Sequence, residues 1–195
     1  MGKFVFNTTK CEIIGYEGVV DKTLIIPEYI CGYRVKSIAD CVFARKGIVN
    51  LILPISLTHI GNYAFYGNAM ELLVLPENVT VIGKYCFAYN NLLELELPRY
   101  LSTIGMCAFI GNKITAVDVP LSVEGIGIAA FANNNIDNVD IKSTYTSIGE
   151  LAFAGNPLQN VRTPIQGFIG KDAFKESEVN IFEKVQDLIE TFKYK

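Results

Sequence analysis

Four carboxylates fall into a regular pattern: Glu94 and Glu96 lie two apart, and Glu96, Asp118 and Asp140 follow one another at intervals of 22 residues. Acids spaced in this way could steer a basic partner, share a divalent cation through oxygen ligands, or act as a paired acid and base. Other chemistry-bearing residues are few. His59 is the only histidine, which excludes a histidine-rich metal site and leaves one possible base for a nucleophile that needs an imidazole. Cys11, Cys31, Cys41, Cys86 and Cys107 form an odd set without a C-x-x-C pair, so their spacing implies neither a disulfide framework nor a zinc site. Gly125-Ile126-Gly127 lacks the rest of a dinucleotide or Walker pattern. The open spacing of the acids places no set of ligands at coordination distance and supplies no water-excluding cleft. No catalytic residue, cofactor site or metal site is expected, and the chain reads as non-enzymatic.

What positions the acids is a repeat. Ile60-Gly61, Ile82-Gly83, Ile104-Gly105, Ile126-Gly127 and Ile148-Gly149 recur every 22 residues, each followed five residues after the Ile by Phe65, Phe87, Phe109, Phe131 or Phe153. Phe43 precedes this series by 22 residues and Phe174 follows it after 21. Units this small cannot bury an apolar face alone, so they must stack into a solenoid with a phenylalanine spine. Alternating segments such as Leu92–Leu97 and Ile114–Val119 read as short parallel strands, ended by Pro54, Pro76, Pro98, Pro120 and Pro164 because proline has no N–H for the ladder. Lys142 replaces proline in one coil. Asn68, Asn90, Asn112, Asn134 and Asn156 follow each Phe by three residues and suit a tight corner. The Ile-Gly-x-x-Ala-Phe stretch is expected to form one short helical turn per coil. Ile181, Phe182, Val185, Leu188, Ile189 and Phe192 make one stripe of an expected capping helix over about 179–194.

These residues resemble the leucine-rich repeat superfamily, and specifically its BspA-like branch. Leu95-Glu96-Leu97-Pro98, Leu101, Ile104-Gly105 and Ala108-Phe109 match that unit, and nearly all of Leu24–Phe174 fits. The resemblance implies an α/β right-handed solenoid with a parallel strand per coil on its concave face and short helical turns on the other side. A single domain over 1–195 would comprise an N-terminal opening coil and cap (1–47), repeats (48–175) and a C-terminal capping helix (176–195). It also implies a protein-recognition role, commonly as a bacterial surface adhesin.

In such a solenoid, residues between the inward strand positions face the concave surface and are free to carry function. The stripe there reads Ile25, Ile52, Val74, Glu96, Asp118, Asp140 and Arg162, beside Asn50, Leu72, Glu94, Ala116, Asn138 and Asn160. The expected partner site is therefore Ile52, Leu72, Val74, Glu94, Glu96, Asp118, Asp140 and Arg162, with the apolar members holding the partner and the acids steering a basic one. Half the residues are apolar and the formal charge is −3, which argues against a nucleic-acid face. No apolar run approaches the roughly 18 residues of a membrane span. Met1–Lys10 shows no secretory signal, so an intracellular scaffold or delivered effector stands as the alternative to a surface protein. A monomer is expected.

Overall fold

The computed structural model describes residues 2–175. They form a β-solenoid of about seven turns, and among them there is no helix. The expected α/β class is thereby corrected to an all-β stack. The expected helix at 176–195 lies outside the described residues.

The interior follows from the repeat. Phe43, Phe65, Phe87, Phe109, Phe131 and Phe153 have no solvent-exposed surface. Their rings, with Phe174, stack at centroid separations of 5.2–5.6 Å. Phe4 and Tyr16 close the spine at its start by packing on Phe43 at 6.3 and 5.8 Å. These two residues belong to an antiparallel hairpin, β1 (Lys3–Asn7) and β2 (Glu12–Glu17), whose second strand pairs with Ser37–Ile38.

The longest ladder is not on the side the sequence suggested. An eight-stranded sheet runs through the residues around each Ile-Gly: the hairpin, Ser37–Ile38, His59–Ile60, Val81–Ile82, Thr103–Ile104, Gly125–Ile126 and Ser147–Ile148. The Leu-x-Leu side is broken into pieces. There β3 (Thr23–Ile25) pairs with Asn50–Ile52, a single bridge joins Val74 to Glu96, and three strands span Ala116–Val119, Asn138–Ile141 and Asn160–Arg162. Lys142 shows what the prolines cost this side: its N–H donates to Val119 O at 3.1 Å, a bond Pro120 and Pro98 cannot make.

The expected helical turns are replaced by a ladder of bends. A helix needs each N–H to reach back four residues, whereas Phe65 N–H donates to Cys86 O and Gly67 N–H to Ala88 O in the next coil. Tyr63, Tyr85, Cys107, Ala129 and Leu151 hold φ between 51° and 59°, the left-handed region that no α-helix contains. The recurrent Gly serves close approach instead: a Cβ on Gly105 would lie 2.5 Å from the backbone of Gly83. The buried Asn ladder ties the corners. Asn112 Nδ2 donates to Phe87 O and Phe109 O at 3.0 Å each, and its Oδ1 accepts from Leu92 N–H at 3.1 Å.

Candidate functional site

The stack aligns the expected partner residues on one face. Ile52, Leu72 and Val74 are 54, 62 and 68% exposed, with Ile25 at 59% directly across the ladder from Ile52. Alternation within each strand explains this, because Leu51, Leu73 and Leu75 on either side turn inward and are buried. Large apolar side chains held outward over adjacent coils form a patch that water covers at a cost.

The acids divide into two kinds. Asp118 and Asp140 sit directly opposite each other on adjacent strands, a like-charge contact that needs counter-ions. Lys142 Nζ lies 3.7 Å from Asp118 Oδ2 and Arg162 Nη1 lies 3.6 Å from Asp140 Oδ1. Asp140 Oδ1 is buried and makes no hydrogen bond, so Arg162 is its compensation. Glu94 and Glu96, by contrast, are exposed and have no cation within ion-pair distance among the described residues. The uncompensated charge therefore stands beside Leu72 and Val74, while Asp118 is paired with Lys142 and Asp140 with Arg162.

Two shallow grooves follow this face. One of about 370 Å³ is lined by Leu72, Val74, Glu77, Glu94 and Glu96 among others. The next, about 670 Å³, runs from Glu96 past Arg99 and Asp118 to Leu121 and Lys142. Both are open surface depressions. His59 is exposed on the other sheet, where Nδ1 meets Thr58 Oγ1 at 2.9 Å, away from these acids. Among the described residues no group of three His, Cys, Asp or Glu side chains converges as a metal would require.

Sequence reasoning missed the aromatic cluster on the bend side. Tyr63 and Tyr85 stack at 4.8 Å, Tyr66 and Tyr89 meet edge-on at 5.6 Å, and Arg45 lies over the Tyr66 ring at 5.1 Å. Burial pushes the Tyr85 and Tyr89 hydroxyls up, Tyr89 to about 12, and pushes the Cys107 thiol up to about 11. All five cysteines are unpaired, and Cys86 and Cys107 are buried. The only signal for the cluster was the tyrosine at the third position after Ile60 and Ile82, and the expected helical turn gave it no common face.

The BspA-type leucine-rich repeat model matches in six copies, over residues 22–134 and 58–181. The chain belongs to the BspA-type leucine-rich repeat family. That family is an interaction fold, generally without catalysis. A leucine-rich repeat protein from Bacteroides ovatus superimposes with a TM-score of 0.70 at 21% identity, over 91% of this chain and 56% of that one. The T. pallidum leucine-rich repeat protein gives 0.56 at 18% identity, over 78% of this chain and 83% of that one. A leucine-rich cell surface protein from Faecalibacterium prausnitzii gives 0.53 at 19%, over 89% of this chain and 50% of that one. This BspA-type chain thus spans about half the length of two of these relatives. No curated protein matches it. No described helix is long and apolar enough to cross a membrane.

Proposed function

We propose that this leucine-rich repeat chain is a non-catalytic protein-recognition module that binds through its Leu-x-Leu face, taken as the concave side of the solenoid. The observation that carries this reading is the outward row of Ile52, Leu72 and Val74 on adjacent coils, alternating with the buried Leu51, Leu73 and Leu75. Apolar side chains at the centre of a contact supply most of its affinity, and charges at its edge set on-rate and choice of partner. Glu94 and Glu96 fill the second role for a partner with basic residues. Asp118, Asp140 and Arg162, together with Lys142, extend the contact as a polar, internally neutralised rim. The partner is a protein rather than a nucleic acid.

The likeness to a cell-surface protein favours an adhesin-like role at the surface or outside the cell. A scaffold or effector inside a cell is the second reading, favoured by five unpaired cysteines. The test is affinity capture from source-cell lysate and from host surface extract, comparing the native chain with Leu72→Glu, Val74→Glu and with Glu94→Lys, Glu96→Lys. Retention of one protein by the native chain and its loss with the first variant supports the face. Equal retention by all three chains removes it.

A further inference from the structure

The two flanks of the solenoid do not end at the same level. On the Ile-Gly side, β2 continues the ladder beyond Ser37–Ile38 and β1 continues it again, so the hairpin stands two strands above the first complete coil. On the Leu-x-Leu side β3 pairs only with Asn50–Ile52, and no strand precedes it among the described residues. A notch of about 540 Å³ results, with β3 as its floor and Phe4, Tyr16, Val19, Val20, Leu24 and Ile25 among its lining. Val19 is 86% and Ile25 59% exposed.

Main-chain groups of β3 face this notch. Lys22 O accepts from Val49 and Asn50 N–H, and Ile26 N–H donates to Ile52 O. Parallel ladders alternate, so residues 22, 24 and 26 bond toward Asn50–Ile52 while Thr23 and Ile25 turn their N–H and C=O to the open edge. We propose that the notch is a second binding site, distinct from the face above, which takes one extended peptide segment of a partner protein as an added strand parallel to β3.

The shape selects this occupant over a second copy of the chain. The opposite end of the described stack is level, with Asn160–Arg162 and Ile169 in the same coil, each paired to the coil before it. Another solenoid end advancing on β3 meets the overhanging hairpin before its strand reaches the roughly 4.8 Å pairing distance. A lone strand fits. Recognition is by main chain, with alternate side chains of the segment entering the apolar wall of Tyr16, Val20 and Leu24.

The probe is an acetylated, amidated peptide with the sequence of residues 137–142, the strand that repeats this geometry within the stack. Hydrogen exchange of the full chain is followed by NMR as the peptide is added. Exchange at Thr23 and Ile25 N–H is expected to slow, and N-methylation of the peptide at the Val139 and Ile141 positions to weaken binding about tenfold or more. N-methylation at the Asn138 and Asp140 positions, whose N–H groups point away from β3 in this register, leaves binding intact. Unchanged exchange at Thr23 and Ile25 with saturating peptide overturns the proposal. So does equal binding of both methylated peptides, or protection of these two amides before any peptide is added.

Discussion

At the scale of single residues, the stack depends on side chains whose partners repeat from coil to coil. Phe109 is fully buried between the Phe87 and Phe131 rings. Phe109→Ala should cost about 3 to 5 kcal/mol, and Phe174→Ala, at the only partly buried end of the described spine, less; urea denaturation of both variants checks the order. Asn112 serves three backbone groups at once; in Asn112→Ala, Phe87 O and Phe109 O still accept from Asn90 and Asn134, and the buried Leu92 N–H loses its acceptor. A loss of about 1 to 3 kcal/mol is expected from the same assay. The glycines separate two causes. Gly105→Ala drives a methyl group into the Gly83 backbone and should destabilise by about 1 to 3 kcal/mol, whereas a Cβ on Gly125 meets nothing within 4 Å and Gly125→Ala should be neutral within about 1 kcal/mol. The Phe, Asn and Gly ladders were all legible in the sequence, because a fixed period makes identity of environment visible. The ion pairs of Asp118 with Lys142 and Asp140 with Arg162 were not: they join positions 24 and 22 apart, and only the first involves the residue that breaks the proline pattern.

At the scale of elements, the bend side shows where local sequence is least informative. Gly67, Gly111, Asn133 and Gly155 at the second of its two left-handed positions advertise a positive φ, whereas Tyr63, Tyr85, Cys107, Ala129 and Leu151 at the first do not. The strain of each, about 1 to 3 kcal/mol, is held by neighbouring cross-coil bonds such as Tyr85 N–H to Met106 O at 2.9 Å. A helix-like spacing of Ala and Phe therefore misled, since the ladder between coils decides the backbone and no single coil contains it. The same reasoning explains why the Leu-x-Leu strands, though clearly alternating, carry only a broken sheet: proline closes each one early. Titration tests the bend side directly. Burial raises the Cys107 thiol from an ordinary value near 9.0 to about 11, so the folded state holds its proton where the unfolded chain has released it. Stability is full below about pH 9 and falls as pH rises toward 11, by at most about 1.4 kcal/mol per pH unit from this group. Cys107→Ala should flatten that decline, which urea midpoints across pH 8 to 11 will show.

At the scale of the whole molecule, a stack in which every coil touches only its neighbours offers a long surface whose exposed residues are free of structural duty. The eight expected partner residues were legible as a face because strand alternation and the repeat place them in register. Their division into an apolar patch, two uncompensated acids and a neutralised rim was not, since it depends on which cations the neighbouring coils bring within 4 Å. On the proposed function, electrostatic steering belongs to Glu94 and Glu96: association with a basic partner should slow in Glu94→Lys, Glu96→Lys and weaken with added salt, while the dissociation rate changes little. The most direct measurement is hydrogen exchange of the chain alone and in complex with the protein it captures. Binding through the Leu-x-Leu face slows exchange along the segments of successive coils, at 50–53, 72–75 and 94–97. Protection confined to the bend side around Tyr63 and Tyr85, with these segments unchanged, would contradict it.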